Sequence, residues 1–245
     1  MKRLSPFALR VLGSMKLEGL NAKIAGQLDR KLYLEVNEAL EALGGKWNRK
    51  LGAHVFTEDP EGPISQVIAS GGFIDKKQEL GFFQTPDAIA DQLVARLGIP
   101  RGAHVLEPSA GHGRIAEAIR RVGASPFCVE IDPANVATLR SKGFAVHQGD
   151  FLHLKPEPFN FVVMNPPFAK QLDIAHVTHA LSFLRPGGQL VAIMSAGVLF
   201  RENSRSLDFR ALVNRLDGEI VALPSGSFAP EGTNVETVMV LLTKE

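Results

Sequence analysis

Between Thr85 and Ser195 the chain alternates between stretches whose apolar residues recur at helical spacing and apolar runs too short to be helices. Residues 86–97 predict a helix, 105–107 a strand, 114–122 a helix and 127–131 a strand; 133–141 predict a helix and 145–147 a short strand. Residues 159–164 follow as a strand, 174–184 as a helix and 190–194 as a strand. Strands separated by helices require crossovers, so the pattern specifies an α/β fold with a parallel, doubly wound sheet covered on both faces. Beyond it come a polar helix near 207–216, a strand near 220–223 and a last strand at 237–242. Those two strands, joined by the turn-rich residues 224–233, would close the sheet as a hairpin.

The residues before this pattern read differently. Leu28, Leu32, Leu34, Val36, Ala39, Leu40 and Leu43 mark one broad apolar face of a helix ending at Gly44-Gly45. Residues 59–63 then predict a turn, and 64–69 a helix before Gly71-Gly72 breaks it. The expectation is a small, mainly helical domain at 1–75 and a larger domain at 76–245. With 45% apolar and 22% charged residues the chain can bury a sizeable core. A net charge of +1 gives no general attraction to a polyanion, so a nucleic-acid site must be a local patch. The one cysteine, Cys128, cannot form an intrachain disulfide and falls in an apolar run, as a buried, inert thiol would. Arg10 interrupts the apolar stretch after Met1-Lys2-Arg3, and no uncharged run reaches the ~20 residues of a membrane span, so a cytoplasmic protein with no membrane partner is expected.

Four strand ends carry the chemistry. The segment Val105-Leu106-Glu107-Pro108-Ser109-Ala110-Gly111-His112-Gly113 ends a strand in an acid and opens a helix through a glycine-containing turn. In parallel sheets ligands bind beyond the carboxyl ends of the strands, and glycine lets backbone approach them closely. No Lys-Ser or Lys-Thr pair follows, which excludes a phosphate-cradling P-loop. Glu130 closes the next strand where an acid can bond a ribose hydroxyl pair, and Asp150-Phe151 closes the third, where a carboxylate and a ring could read an adenine edge and cover its face. A plain turn and surface acids are the alternative for each taken singly; the ordered series favours a ligand edge.

The fourth end, Asn165-Pro166-Pro167-Phe168, follows the apolar run at 161–164. Two prolines cannot donate to a ladder, so this is a rigid turn holding an amide and an aromatic ring above the sheet. Such a pair suits an exocyclic amine on a heteroaromatic ring, whose lone pair is delocalised. Accepting its two N–H groups at the Asn165 side-chain oxygen and the Pro166 carbonyl would favour a tetrahedral nitrogen, with Phe168 stacked on the ring.

These residues resemble the class I S-adenosylmethionine (SAM)-dependent methyltransferases, and within them the DNA adenine N-6 methyltransferases with the gamma-type motif order. The resemblance runs from Phe83 to about Leu242. It implies a Rossmann-like, seven-stranded fold, SAM as cofactor, no metal, and DNA as partner. Phe83-Gln84-Thr85-Pro86 looks like the family segment that folds over the methionine end of SAM, standing before the glycine turn as the gamma order requires. The resemblance assigns Phe83, Thr85, Glu107, Ala110, Gly111, Gly113, Glu130, Asp150 and Phe151 to the cofactor, and Asn165, Pro166, Pro167 and Phe168 to catalysis. Phe228 stands where such enzymes carry a second aromatic residue against a flipped base.

The chain departs from the family in its recognition elements. Arg185 stands 17 positions after Phe168, leaving no room there for a target-recognition domain. Specificity is then loose or supplied by a partner subunit or a second copy of the chain, and restriction-modification, regulation and defence evasion are the roles open to it. Lys46, Trp47, Arg49 and Lys50, in a stretch without an acid between Glu41 and Glu58, are candidate DNA contacts, as are Arg201, Arg205 and Arg210. His176 and His179 stand at helical spacing without a supporting ligand cluster, and no metal is expected from them. Two alternatives remain: an RNA-base or protein-glutamine N-methyltransferase, and an idle SAM- or DNA-binding accessory subunit.

Overall fold

In the computed structural model, which describes residues 2–73, 83–231, 233 and 235–245, the chain divides into two units, Met1–Leu80 and Gly81–Glu245. The boundary expected at residues 75 and 76 lies outside the described residues.

The first unit contains β1 (Lys2–Arg3), α1 (Pro6–Gly13), β2 (Lys16–Glu18), β3 (Asn21–Lys23), α2 (Arg30–Ala42), β4 (Lys46–Asn48), β5 (Ala53–Val55), α3 (Glu61–Ser70) and β6 (Gly72–Phe73). Asp29 caps α2 by accepting from the Lys31 and Leu32 amides, and Val36, Ala39 and Leu40 bury its inner face. Leu34 is 54% exposed, a correction to the predicted face: it lies two residues from Val36, about 200° around the helix. Residues 59–63 are only partly a turn, since α3 begins at Glu61. The helices pack around Leu12, Leu40, Phe56 and Val67, but β2, β3, β5 and β4 also form a four-stranded antiparallel sheet. Its strands are three residues long, too short for a two-residue period to reveal.

The second unit is built from α4 (Asp87–Leu97), β7 (His104–Pro108), α5 (Arg114–Arg121), β8 (Ser125–Glu130), α6 (Pro133–Ser141), β9 (Ala145–Gln148), β10 (Phe159–Met164), α7 (Leu172–Leu181), β11 (Leu184–Ser195), α8 (Gly197–Phe200), α9 (Ser204–Arg215), β12 (Glu219–Ala222) and β13 (Thr237–Thr243). The strands form one sheet in the order β12-β13-β11-β10-β7-β8-β9, and β13 pairs antiparallel with both its neighbours while the other pairs are parallel. This is the Rossmann-like methyltransferase sheet that the alternation and the resemblance imply. Alternate residues feed two cores. Val162, Met164, Leu190, Ala192 and Met194 enter one, Val163, Val191 and Ile193 the other, each covered by helices. Burying each Val, Leu, Ile or Met side chain of these runs contributes about 1.5–3 kcal/mol, which is why they are apolar without a break. Among the described residues no helix is long and apolar enough to cross a membrane.

At Gly113 both the backbone and the space favour glycine. Gly113 opens α5 at φ 83°, and a Cβ there would stand 2.6 Å from Leu139 Cδ2. Gly113→Ala should therefore cost about 1–3 kcal/mol, from the left-handed conformation and the displaced leucine. Urea unfolding followed by circular dichroism would show the midpoint shift.

Candidate active site

From β7 the chain winds outward through β8 and β9, then returns to β10 on the other side of β7 and winds outward again through β11. The strand order thus reverses between β7 and β10. A crevice opens at the carboxyl ends of two strands whose connections leave in opposite directions, the usual ligand position in such sheets. Val162 pairs with Leu106, so the glycine turn and Asn165 leave adjacent strands at the same edge.

The turn after β7 holds three left-handed residues, Ser109, Gly111 and Gly113. Ser109 has a Cβ and is held in place by its neighbours: its amide and that of Ala110 donate to the Val129 carbonyl at 2.9 and 3.0 Å, and its Oγ lies 3.3 Å from His176 Nδ1. Glu130 ties β8 to the turn. Its Oε2 accepts from the Gly111 amide at 2.6 Å, and its Oε1 from the Ile131 and Asp132 amides at 2.9 and 2.8 Å. Each oxygen has two lone pairs, so Oε2 can still accept from a hydroxyl. Glu107 is buried at the end of β7, and that burial pushes its carboxyl well above the usual carboxylate range. The Cys128 thiol lies 3.7 Å from Glu107 Oε2 and is itself pushed up by burial.

Asn165 is the centre of the arrangement. Its side-chain nitrogen donates to the Phe83 carbonyl at 2.9 Å and to Thr85 Oγ1 at 3.1 Å. A carbonyl can only accept, so these contacts orient the amide and leave Oδ1 as its acceptor. That oxygen is buried, and no donor among the described residues reaches it. The Phe168 ring is partly buried and packs against Phe83 with centroids 6.2 Å apart. The Gln84 amide also bonds the His112 ring, so residues 83–85 bridge the glycine turn and the Asn-Pro-Pro-Phe turn. A pocket between them is lined by Phe83, Thr85, Glu107, Ala110 and Asn165.

Several expected residues are placed otherwise. Phe228 is fully buried in the core beside Leu93, Val163 and Ile193, which corrects its expected contact with a flipped base: no part of the ring is free to stack. Phe151 is 3% exposed and packs against His179 and Phe183, with centroids 4.9 and 5.0 Å away, so it belongs to the core beneath the edge. Asp150 stands at the edge, bonding the Leu152 amide at 3.0 Å and the His153 ring at 2.8 Å. Arg205 donates to the Lys170 carbonyl just after the Asn-Pro-Pro-Phe turn, whereas Arg210 is spent on the Val198 and Arg201 carbonyls. Lys46, Trp47, Arg49 and Lys50 belong to the hairpin formed by β4 and β5 in the first unit.

The sequence marked His176 only as an unsupported metal ligand and Gln84 only as part of its segment, and it gave no sign of the pair Arg114–Glu231, which joins the start of α5 to the Phe228 loop at 3.1 Å. Only His112, inside the glycine turn, carried a local signal.

Residues 84–206 match the family model described as the methyltransferase small domain. Among solved structures, the chain is similar to the type I restriction enzyme EcoKI M protein, with a TM-score of 0.55 and 19% identity over 88% of this chain and 53% of that one. It is also similar to a dimethyladenosine transferase from Plasmodium falciparum, with a TM-score of 0.54 and 17% identity over 67% and 64% of the two chains. This chain therefore spans about half of the first protein and under two thirds of the second. At those identities the likeness is one of fold.

The buried His176 ring has its pKa lowered from 6.5 to about 4 by desolvation, against a smaller raising effect of Asp150. Between those values the unfolded chain takes up a proton that the folded chain refuses. The stability contributed by the neutral ring is thus complete above pH 6.5 and lost as pH falls to about 4. His176→Gln should flatten the stability-against-pH curve across that window, read from urea midpoints of both proteins.

Proposed function

The chain belongs to the methyltransferase small domain family, and on that premise we propose that it transfers the methyl group of SAM to the exocyclic amine of adenine in DNA. The single observation that carries this reading is Asn165 Oδ1, a buried acceptor whose amide is oriented by Phe83 and Thr85 and which meets no donor among the described residues. A buried acceptor without a partner costs about 1–3 kcal/mol, a penalty that an incoming N–H would remove.

The cofactor fits the residues at the edge. Glu107, Glu130 and Asp150 stand at or just past the carboxyl ends of three successive strands, and an acid side chain at each point suits an ammonium, whose charge would offset the burial of Glu107, a ribose hydroxyl pair and an adenine amino group in turn. When bound, SAM supplies a methyl group on a positively charged sulfur. Asn165 Oδ1 and the Pro166 carbonyl then hold the two N–H groups of the target amine, drawing its lone pair out of conjugation and aiming it at the methyl carbon. Phe168 supports the ring by stacking. Transfer would leave the S–C bonding pair on the sulfur, which becomes a neutral thioether, the nitrogen would shed one proton to water, and positioning would carry most of the rate.

DNA as the substrate is supported by the order of the motifs, with Phe83-Gln84-Thr85-Pro86 ahead of the glycine turn. Asn165→Ala should lower kcat by about 10²–10³ while SAM affinity by calorimetry changes less than about twofold. Methyl-labelled SAM incubated separately with duplex DNA, single-stranded DNA, RNA and a protein extract tests the substrate. Label in N-6-methyladenine from DNA supports the reading. Label only in RNA or protein overturns the substrate, and undiminished turnover by Asn165→Ala overturns the mechanism.

A further inference from the structure

The single tryptophan and the single tyrosine of the chain line the same groove. This groove lies within the first unit, where the segment before α2 (Ile24, Gly26, Leu28) and Tyr33 from its first turn face Trp47 of β4. Trp47 is 46% exposed and its ring is fixed from behind. His54, its cross-strand partner on β5, is fully buried with its ring centroid 5.1 Å from that of Trp47, and His54 Nε2 bonds Asn37 Oδ1 of α2 at 2.8 Å. An aromatic platform held this way in water is suited to stacking against a planar partner.

The charges around it select the partner. Lys46, Arg49 and Lys50 belong to the hairpin that carries Trp47, and Arg30 and Lys31 to the turn of α2 that carries Tyr33. All five are exposed, and none is in an ion pair with a carboxylate among the described residues. The one acid in the same stretch, Asp29, is engaged by the α2 amides that it caps. Cations left without partners beside exposed aromatic rings match the repeating unit of an unpaired polynucleotide, planar base and phosphodiester, better than they match a neutral ligand.

We propose that this groove binds an unpaired stretch of DNA, stacking a base on Trp47 with Tyr33 on the facing wall, while Lys46, Arg49 and Lys50 neutralise the flanking phosphates. The choice of DNA rests on the substrate proposed above; the groove itself does not.

Trp47 is its own probe, because no other tryptophan contributes to the emission. Titrating the full chain with an oligothymidylate tests the groove alone, since a strand without adenine offers the methyl-transfer site no substrate. Failure here and failure of the amine reading are thus separate results. The expected outcome is saturable quenching of Trp47, with log Kd rising against log salt at a slope of about 2 for three neutralised phosphates. Tyr33→Leu, which keeps an apolar side chain on the helix, should weaken the binding of labelled oligothymidylate about tenfold by anisotropy. Lys50→Ala should weaken it several-fold and lower the salt slope by about 0.7. Unchanged Trp47 emission at low salt, affinity undiminished in both variants, or quenching by an RNA strand alone would each overturn the proposal.

Discussion

A parallel sheet covered by helices on both faces can meet a ligand only at its edges, because its surfaces are occupied by two apolar cores. That constraint governs the second unit. The runs 161–164 and 190–194 must be apolar throughout, so the polar side chains of the candidate site are displaced to the carboxyl ends of the strands. There Glu107, Glu130, Asp150 and Asn165 gather although they are far apart in the chain. The reversal of strand order between β7 and β10 then sets the glycine turn beside Asn165 without any direct sequence relation between them.

The edge also holds the costs that the cores avoid. Ser109 sits in a left-handed conformation, Glu107 is a buried acid, His176 is a buried imidazole held neutral, and Asn165 Oδ1 meets no donor among the described residues. Each would be disfavoured in a chain selected for stability alone. They are contiguous, since Ser109 touches His176 and the bonds from Asn165 to residues 83 and 85 join the same turn region. Strain concentrated at one edge while both cores pack without conflict is the pattern expected of a site kept for binding rather than for folding.

The first unit answers a different physical demand. Its strands are two or three residues long and cannot form a stable sheet alone, so α1, α2 and α3 supply the apolar cover. Its exposed rings and cations are not required by that core: Trp47 lies half outside it, and Arg30, Lys31, Lys46, Arg49 and Lys50 are all exposed. The proposed division of labour follows from this contrast, with methyl transfer at the edge of the large sheet and strand binding in the small unit.

The alternation of apolar periods determined the large sheet from sequence alone, because strands and crossover helices each bury a face and their spacing records which. Residues 133–141 and 159–164 came out at the observed bounds for that reason, and Asn165-Pro166-Pro167-Phe168 was legible because two prolines can only end a strand. What depended on contacts between distant segments was not legible. Phe228 reads as a loop residue near an active site, yet the loop folds inward and its ring fills the core beside Leu93. The bonds from Asn165 to Phe83 and Thr85 cross some eighty residues, and the three-residue strands of the first unit are too short to leave a period. Local periodicity records which face of an element is buried; only the tertiary structure decides which polar atoms find partners, and so which acceptor is left free.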